Sequence, residues 1–117
     1  YTPANAQTED WSGFYMGIDP ADGSVDHMMI IPNEDGTYHI RVSSSNVGYC
    51  GQANSPGVIL ATGHPDGDQL VRKEMQYRCV GSNETNAKEG SAYSMKTDGL
   101  ISIQPFDGRK IYYQKIN

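Results

Sequence analysis

An all-β fold, an eight-stranded antiparallel up-and-down barrel, is what this 117-residue sequence predicts. Three observations carry the prediction. The dipeptide Asp-Gly occurs five times, at 22–23, 35–36, 66–67, 98–99 and 107–108. Asp tolerates the left-handed backbone region and Gly enters it without a Cβ clash, so the pair marks tight turns between strands. The segments between these turns alternate apolar and polar residues, the period of a half-buried strand. Finally, simple up-and-down connectivity brings the two long connections, 44–57 and 79–91, to one end, and each holds one of the two cysteines.

The turns divide the chain into strands at 11–18, 25–32, 37–44, 58–63, 69–78, 92–97, 100–105 and 109–116. In the first strand two inner sets compete: Trp11 and Tyr15, or Phe14, Met16 and Ile18. A two- or four-residue loop over 33–36 aligns Met29 and Ile31 with Tyr38, Ile40 and Val42, which turns His27 inward and His39 outward. Three-residue loops at Thr97-Asp98-Gly99 and Phe106-Asp107-Gly108 set Tyr93, Met95, Ile101, Ile103, Ile111 and Tyr113 on one face. In 69–78, Lys73 shares a face with Val71, Met75 and Tyr77; a buried ammonium is costly, so either a bulge turns Lys73 outward or it meets an anion inside. The one helical candidate is 82–90, with Ser82 or Asn83 as cap, Glu84 and Lys88 four apart, and Gly90 as stop.

A twisted sheet of eight strands can close and remove its edges. The alternative is a two-sheet sandwich. Its immunoglobulin form carries a Trp between two cysteines, whereas Trp11 precedes both here. Residues 1–10 read as a polar tail or linker and 11–117 as a single domain. With the end bearing Asp22-Gly23 called the top, Cys50 and Cys79 meet there as a disulfide, which points to an oxidising compartment: secreted, periplasmic or cell-surface. Ala4-Asn5-Ala6 has the form of a signal-peptidase site.

The layout of 11–117 resembles the calycin barrels, the lipocalins and avidin-like proteins, in topology. Lipocalins carry Gly-x-Trp on their first strand; this chain has Trp11-Ser12-Gly13, the reverse order. The segment WSGFYMGIDPADGS also looks like the start of small uncharacterised extracellular barrel domains of bacteria. That resemblance implies export and a barrel, and no activity.

The net charge of −5 and scattered basic residues speak against nucleic acid or an anionic membrane as partner. No apolar run approaches the about 18 residues of a membrane-spanning helix. GIDPADGS fails as an EF-type calcium loop, because Ala21 and Gly23 stand where oxygen ligands belong. It reads as a bend, with Asp19, Asp22 and Asp107 as a remote metal candidate. His27, His39 and His64 do not converge, and no G-x-S-x-G or phosphate-cradling loop is present. No cofactor and no catalysis are therefore expected; a weak hydrolase or isomerase is the least favoured class.

Within a barrel, tyrosines on the inner face need partners for their hydroxyls, so Tyr38, Tyr77, Tyr93 and Tyr113 imply a polar network, water or a polar ligand. The leading expectation is a secreted, non-enzymatic binder of a small molecule. Lys73, Tyr77, Tyr93 and Tyr113 would line its cavity, with Tyr49, Asn54 and Asn83 at the rim. The alternative is a protein-interaction or inhibitor module using loops 44–57 and 79–91. Asn83-Glu84-Thr85 is also a glycosylation sequon.

Overall fold

A computed structural model of the chain describes residues 10–51, 54–83, 85–87, 91–103 and 108–117. Its strands are β1 Gly13–Ile18, β2 Val25–Pro32, β3 Tyr38–Ser44, β4 Gly57–Asp66, β5 Gln69–Cys79, β6 Thr85–Asn86, β7 Ala92–Lys96, β8 Gly99–Ile103 and β9 Lys110–Lys115. Neighbouring strands pair antiparallel in the order β1-β2-β3-β4-β5-β7-β8-β9, and β9 returns to β1. This is a closed eight-stranded up-and-down barrel; β6 is an added short strand on the upper half of β5. Thr85 and Asn86 pair with Tyr77 and Gln76, so the helical reading of 82–90 is corrected: part of that segment is strand. Sheet pairing satisfies those backbone groups, which a two-turn helix would have left to caps and solvent. β4 is also longer than the sequence indicated, running to Asp66.

The glycines of four of the five Asp-Gly dipeptides take the left-handed region: Gly23, Gly36, Gly67 and Gly108 have φ of 73°, 90°, 62° and 73°. Gly99 behaves differently. Lys96 pairs with Gly99, so the β7–β8 turn is the two residues Thr97 and Asp98, and Gly99 is already in the strand. A Cβ on Gly99 would lie 1.9 Å from the Tyr113 carbonyl oxygen, so only glycine permits this approach of β8 to β9. The expected three-residue loop is thereby corrected, and one residue of register moves with it. Met95 faces Leu100, Tyr93 faces Ser102, and Ile111 and Tyr113 face Ser102 and Leu100. Leu100 and Ser102 point into the barrel, while Ile103 is 52% exposed.

The second hairpin errs in the same way. Five residues, 33–37, separate Pro32 from Tyr38, and the Asn33 amide donates to the Thr37 carbonyl at 2.8 Å. An odd loop length changes the face. Met28 and Ile30, not Met29 and Ile31, join Tyr38, Ile40 and Val42 inside, and His27 turns outward. In β1 the first inner set holds: Trp11 and Tyr15 are buried, whereas Phe14 and Ile18 are exposed.

Strand β5 contains the bulge anticipated for Lys73. Pairing with β4 jumps from Leu60/Gln76 to Thr62/Lys73, and Glu74 takes the left-handed conformation at φ 50°. An extra residue reverses the alternation. Lys73 is exposed, and Leu70 and Arg72 face inward below the bulge, as Met75 does above it. Cys50 and Cys79 form the disulfide, with Cα atoms 5.6 Å apart; Cys50 ends a single 3-10 turn, Gly48–Cys50, in the β3–β4 connection.

The core occupies the lower barrel. Trp11, Tyr15, Met28, Ile30, Ile40, Leu70, Tyr93 and Leu100 are almost completely buried. The Tyr15 hydroxyl donates to the Trp11 carbonyl at 2.9 Å, and burial raises that phenol to about 12.

Candidate functional site

Inward-facing residues change character with height. In β2 they run Ile30, Met28, Asp26, with Ser24 just beyond the strand; in β3, Ile40, Val42, Ser44. In β5, Leu70 is followed by Arg72; in β8, Leu100 by Ser102; in β7, Tyr93 is preceded by Ser91. Four of these strands, β2, β3, β7 and β8, thus turn from apolar to polar toward the same end, while β5 carries Arg72 between Leu70 and Met75. An apolar floor therefore lies beneath a polar upper chamber.

That chamber is a cavity of about 560 Å³ at the disulfide end of the barrel. The volume is within the about 300–1,000 Å³ common for small-molecule sites. Asp26, Ser44, Arg72, Ser91 and Tyr113 line its depth; Val42, Ile59, Met75 and Ile111 form an apolar side; Asn46, Val47 and Tyr49 stand at the β3–β4 connection.

Each polar side chain is held. The Tyr113 hydroxyl donates to Asp26 Oδ2 at 3.1 Å, and Ser44 bonds the same carboxylate. Gly17 makes space for this tyrosine: a Cβ there would be 2.7 Å from the Tyr113 ring. Arg72 donates from one terminal nitrogen to the Tyr93 hydroxyl and from the other to Ser91 Oγ, each at 3.1 Å. Its guanidinium also lies 5.5 Å from the Tyr93 ring centroid, within cation–π range. Its Nε is buried and has no acceptor among the described residues. Tyr93 and Tyr113 meet edge to face at 5.8 Å, which links the two clusters.

At the rim, Arg109 pairs with Asp19 Oδ2 at 3.2 Å, and Asp19 Oδ1 accepts the Ala21 amide. Asp22 accepts the Ser24 amide and the Asn46 side chain. GIDPADGS is thus a bend whose carboxylates serve the turn, an arginine and a neighbouring loop; Asp107 lies outside the described residues. Among the described residues no cluster of three or more His, Cys, Asp or Glu is arranged for a metal.

The expected lining residues divide. Tyr113 lines the cavity, and Tyr49 stands at its rim. Tyr93 is fully buried beneath it and acts through Arg72. Tyr77 backs Tyr49, the rings stacked at 4.6 Å. Lys73, Asn54 and Asn83 are exposed and do not line the chamber. Arg72, Asp26, Ser44 and Ser91 occupy it instead. Their signal in the sequence was the polar end of each period-2 set, visible only once the inward set is chosen correctly.

Burial raises the Asp26 carboxyl, opposed by the Ser44 and Tyr113 hydrogen bonds; Asp19 adds to the rise and Arg72 moderates it. The folded protein therefore holds this proton more tightly than the unfolded chain. Its contribution to stability is present at low pH and falls as pH rises from the unfolded value, about 4, through the raised folded value. Asp10, Asp22 and Asp35 carry the opposite sign, because hydrogen bonds from Ser12, Ser24 and Thr37 lower them. The Asp26→Asn variant isolates the first effect. Its stability relative to the parent should increase as pH rises across that window in urea melts; a flat difference would contradict the assignment.

The architecture defines the class: a closed eight-stranded antiparallel β-barrel, compatible with calycin topology, with a polar chamber under disulfide-linked loops. No family model, curated protein or solved structure matches the chain.

Proposed function

We propose that this protein is a non-catalytic binder of a small polar molecule, held in the upper chamber of the barrel. The observation that carries the reading is Arg72: a cation turned inward by a bulge, fixed by two neutral hydroxyls, with a buried Nε that no described residue satisfies. A buried polar atom without a partner costs stability, and a bound ligand would offset that cost. Ionisable groups at the chamber are tied to turns, to tyrosines or to each other, an arrangement that supports binding rather than proton transfer. The disulfide supports export, since such bonds persist in oxidising compartments.

Native mass spectrometry of protein from its own source is expected to detect a retained small molecule. Ile59→Trp, which adds bulk to the apolar wall, should release it while the barrel stays folded. Absence of any retained compound, together with no melting shift across a broad metabolite panel, would remove this reading.

A second reading is favoured by one feature of the surface. The disulfide ties loops 44–57 and 79–91 together, and Val80 beside Cys79 is 78% exposed. Those loops would then engage an extracellular protein. Partner capture that survives Ile59→Trp but disappears on exchange of the loops distinguishes it from chamber binding.

A further inference from the structure

Two opposite charges face the chamber without an ion partner among the described residues. Asp26 projects from β2 and is held by Tyr113 and Ser44. Arg72 projects from β5 and is held by Tyr93 and Ser91. Each is anchored by neutral groups, and the two act on each other through space without forming a contact pair. Arg109 and Asp19, by contrast, are in direct contact at 3.2 Å.

A simple anion placed on Arg72 would sit near the Asp26 carboxylate, and a simple cation placed on Asp26 would sit near Arg72. Either arrangement brings like charges together in a partly desolvated space, where the repulsion is poorly screened. A molecule carrying both charges avoids the conflict. Arginine's planar fork also matches a carboxylate, and the Arg72 Nε is a buried donor with no acceptor among the described residues. Val42, Ile59, Met75 and Ile111 then offer an apolar wall to the remainder of the molecule.

We infer that the ligand is a small zwitterion of the free amino acid class, its carboxylate on Arg72, its ammonium on Asp26 and its side chain against the apolar wall. This inference rests on the reading of the chamber as a ligand site. It adds the chemical class that the two unpaired charges select.

The test is calorimetric titration of the full chain near pH 7 with apolar amino acids, each beside its deaminated acid and its decarboxylated amine. At least one amino acid is expected to bind about tenfold or more tightly than both analogues, a difference of about 1.4 kcal/mol. Asp26→Asn should lose the preference over the acid and keep that over the amine; Arg72→Gln should do the reverse. Asp26→Asn removes a buried charge without changing shape, so it decides the question even if Arg72→Gln does not fold. Equal affinity for an analogue, or a preference unchanged in Asp26→Asn, overturns the inference. If the amino acids fail but a neutral compound binds and is displaced in Ile59→Trp, the chamber reading survives and the zwitterion does not. If no compound of any class binds, both fall together.

Discussion

Alanine at position 11 is expected to cost about 3–5 kcal/mol of stability, the range for losing a buried tryptophan. Trp11 is 2% exposed, belongs to the core cluster, and accepts the Tyr15 hydroxyl through its carbonyl. It lies just before β1, at the end opposite the chamber. No other tryptophan exists in the chain. Since a whole domain is stable by only about 5–15 kcal/mol, this one change should bring unfolding close to ambient conditions. Urea titration followed by far-UV circular dichroism would measure it. A loss below about 1 kcal/mol would mean that the lower barrel repacks and that Trp11 is not its plug. Because the polar chamber is at the other end, protein that remains folded should still bind what the parent binds.

Removing the disulfide is the second large effect. Cys50 and Cys79 are 29 residues apart, and the chain-entropy account gives about 3.5 kcal/mol for closing such a loop. The Cys50→Ser, Cys79→Ser double variant should show that loss in urea melts, and reduction of the parent should reproduce it. The bond also fixes the 3-10 turn that follows Val47 and contains Tyr49, both of which stand at the chamber. Ligand affinity should therefore fall along with stability, in contrast to the Trp11 variant. Unchanged stability after verified reduction would mean that strand pairing alone holds the two loops.

The contrast between these two residues also shows how the information is distributed along the chain. Trp11 could not be assigned to a face from its own hairpin, since Phe14, Met16 and Ile18 formed an equally apolar alternative. Cys50 and Cys79 could be paired, because strand parity alone brings their connections together. Parity depends on the number of strands between turns, and the turns are written in local Asp-Gly chemistry. Lys73 was legible in the same local sense: a charge on an apolar face called for either a bulge or an internal anion, and the bulge at Glu74 is there.

Of the chamber residues, Tyr113 and Tyr49 were legible and the two charged ones were not. Asp26 and Arg72 stand one residue away from the inward positions that the expected registers implied. Two loop lengths, five residues instead of two or four at 33–37 and two instead of three at Thr97-Asp98, reversed β2 and β8. The bulge at Glu74 then exchanged Lys73 for Arg72. A strand's side chains repeat every second residue, so a single residue of loop or bulge moves an entire set from solvent to interior.

By itself the sequence determined where the chain turns, how many strands close the barrel, which connections share an end and that the two sulfurs can meet. Those features depend on residues a few positions apart, through backbone freedom at glycine and the alternation of a strand. Only the tertiary structure decided which face of each strand is the inside. That choice depends on contacts such as the Gly99 backbone against the Tyr113 carbonyl, between residues distant in sequence, and it is what brings Asp26 and Arg72 into one chamber.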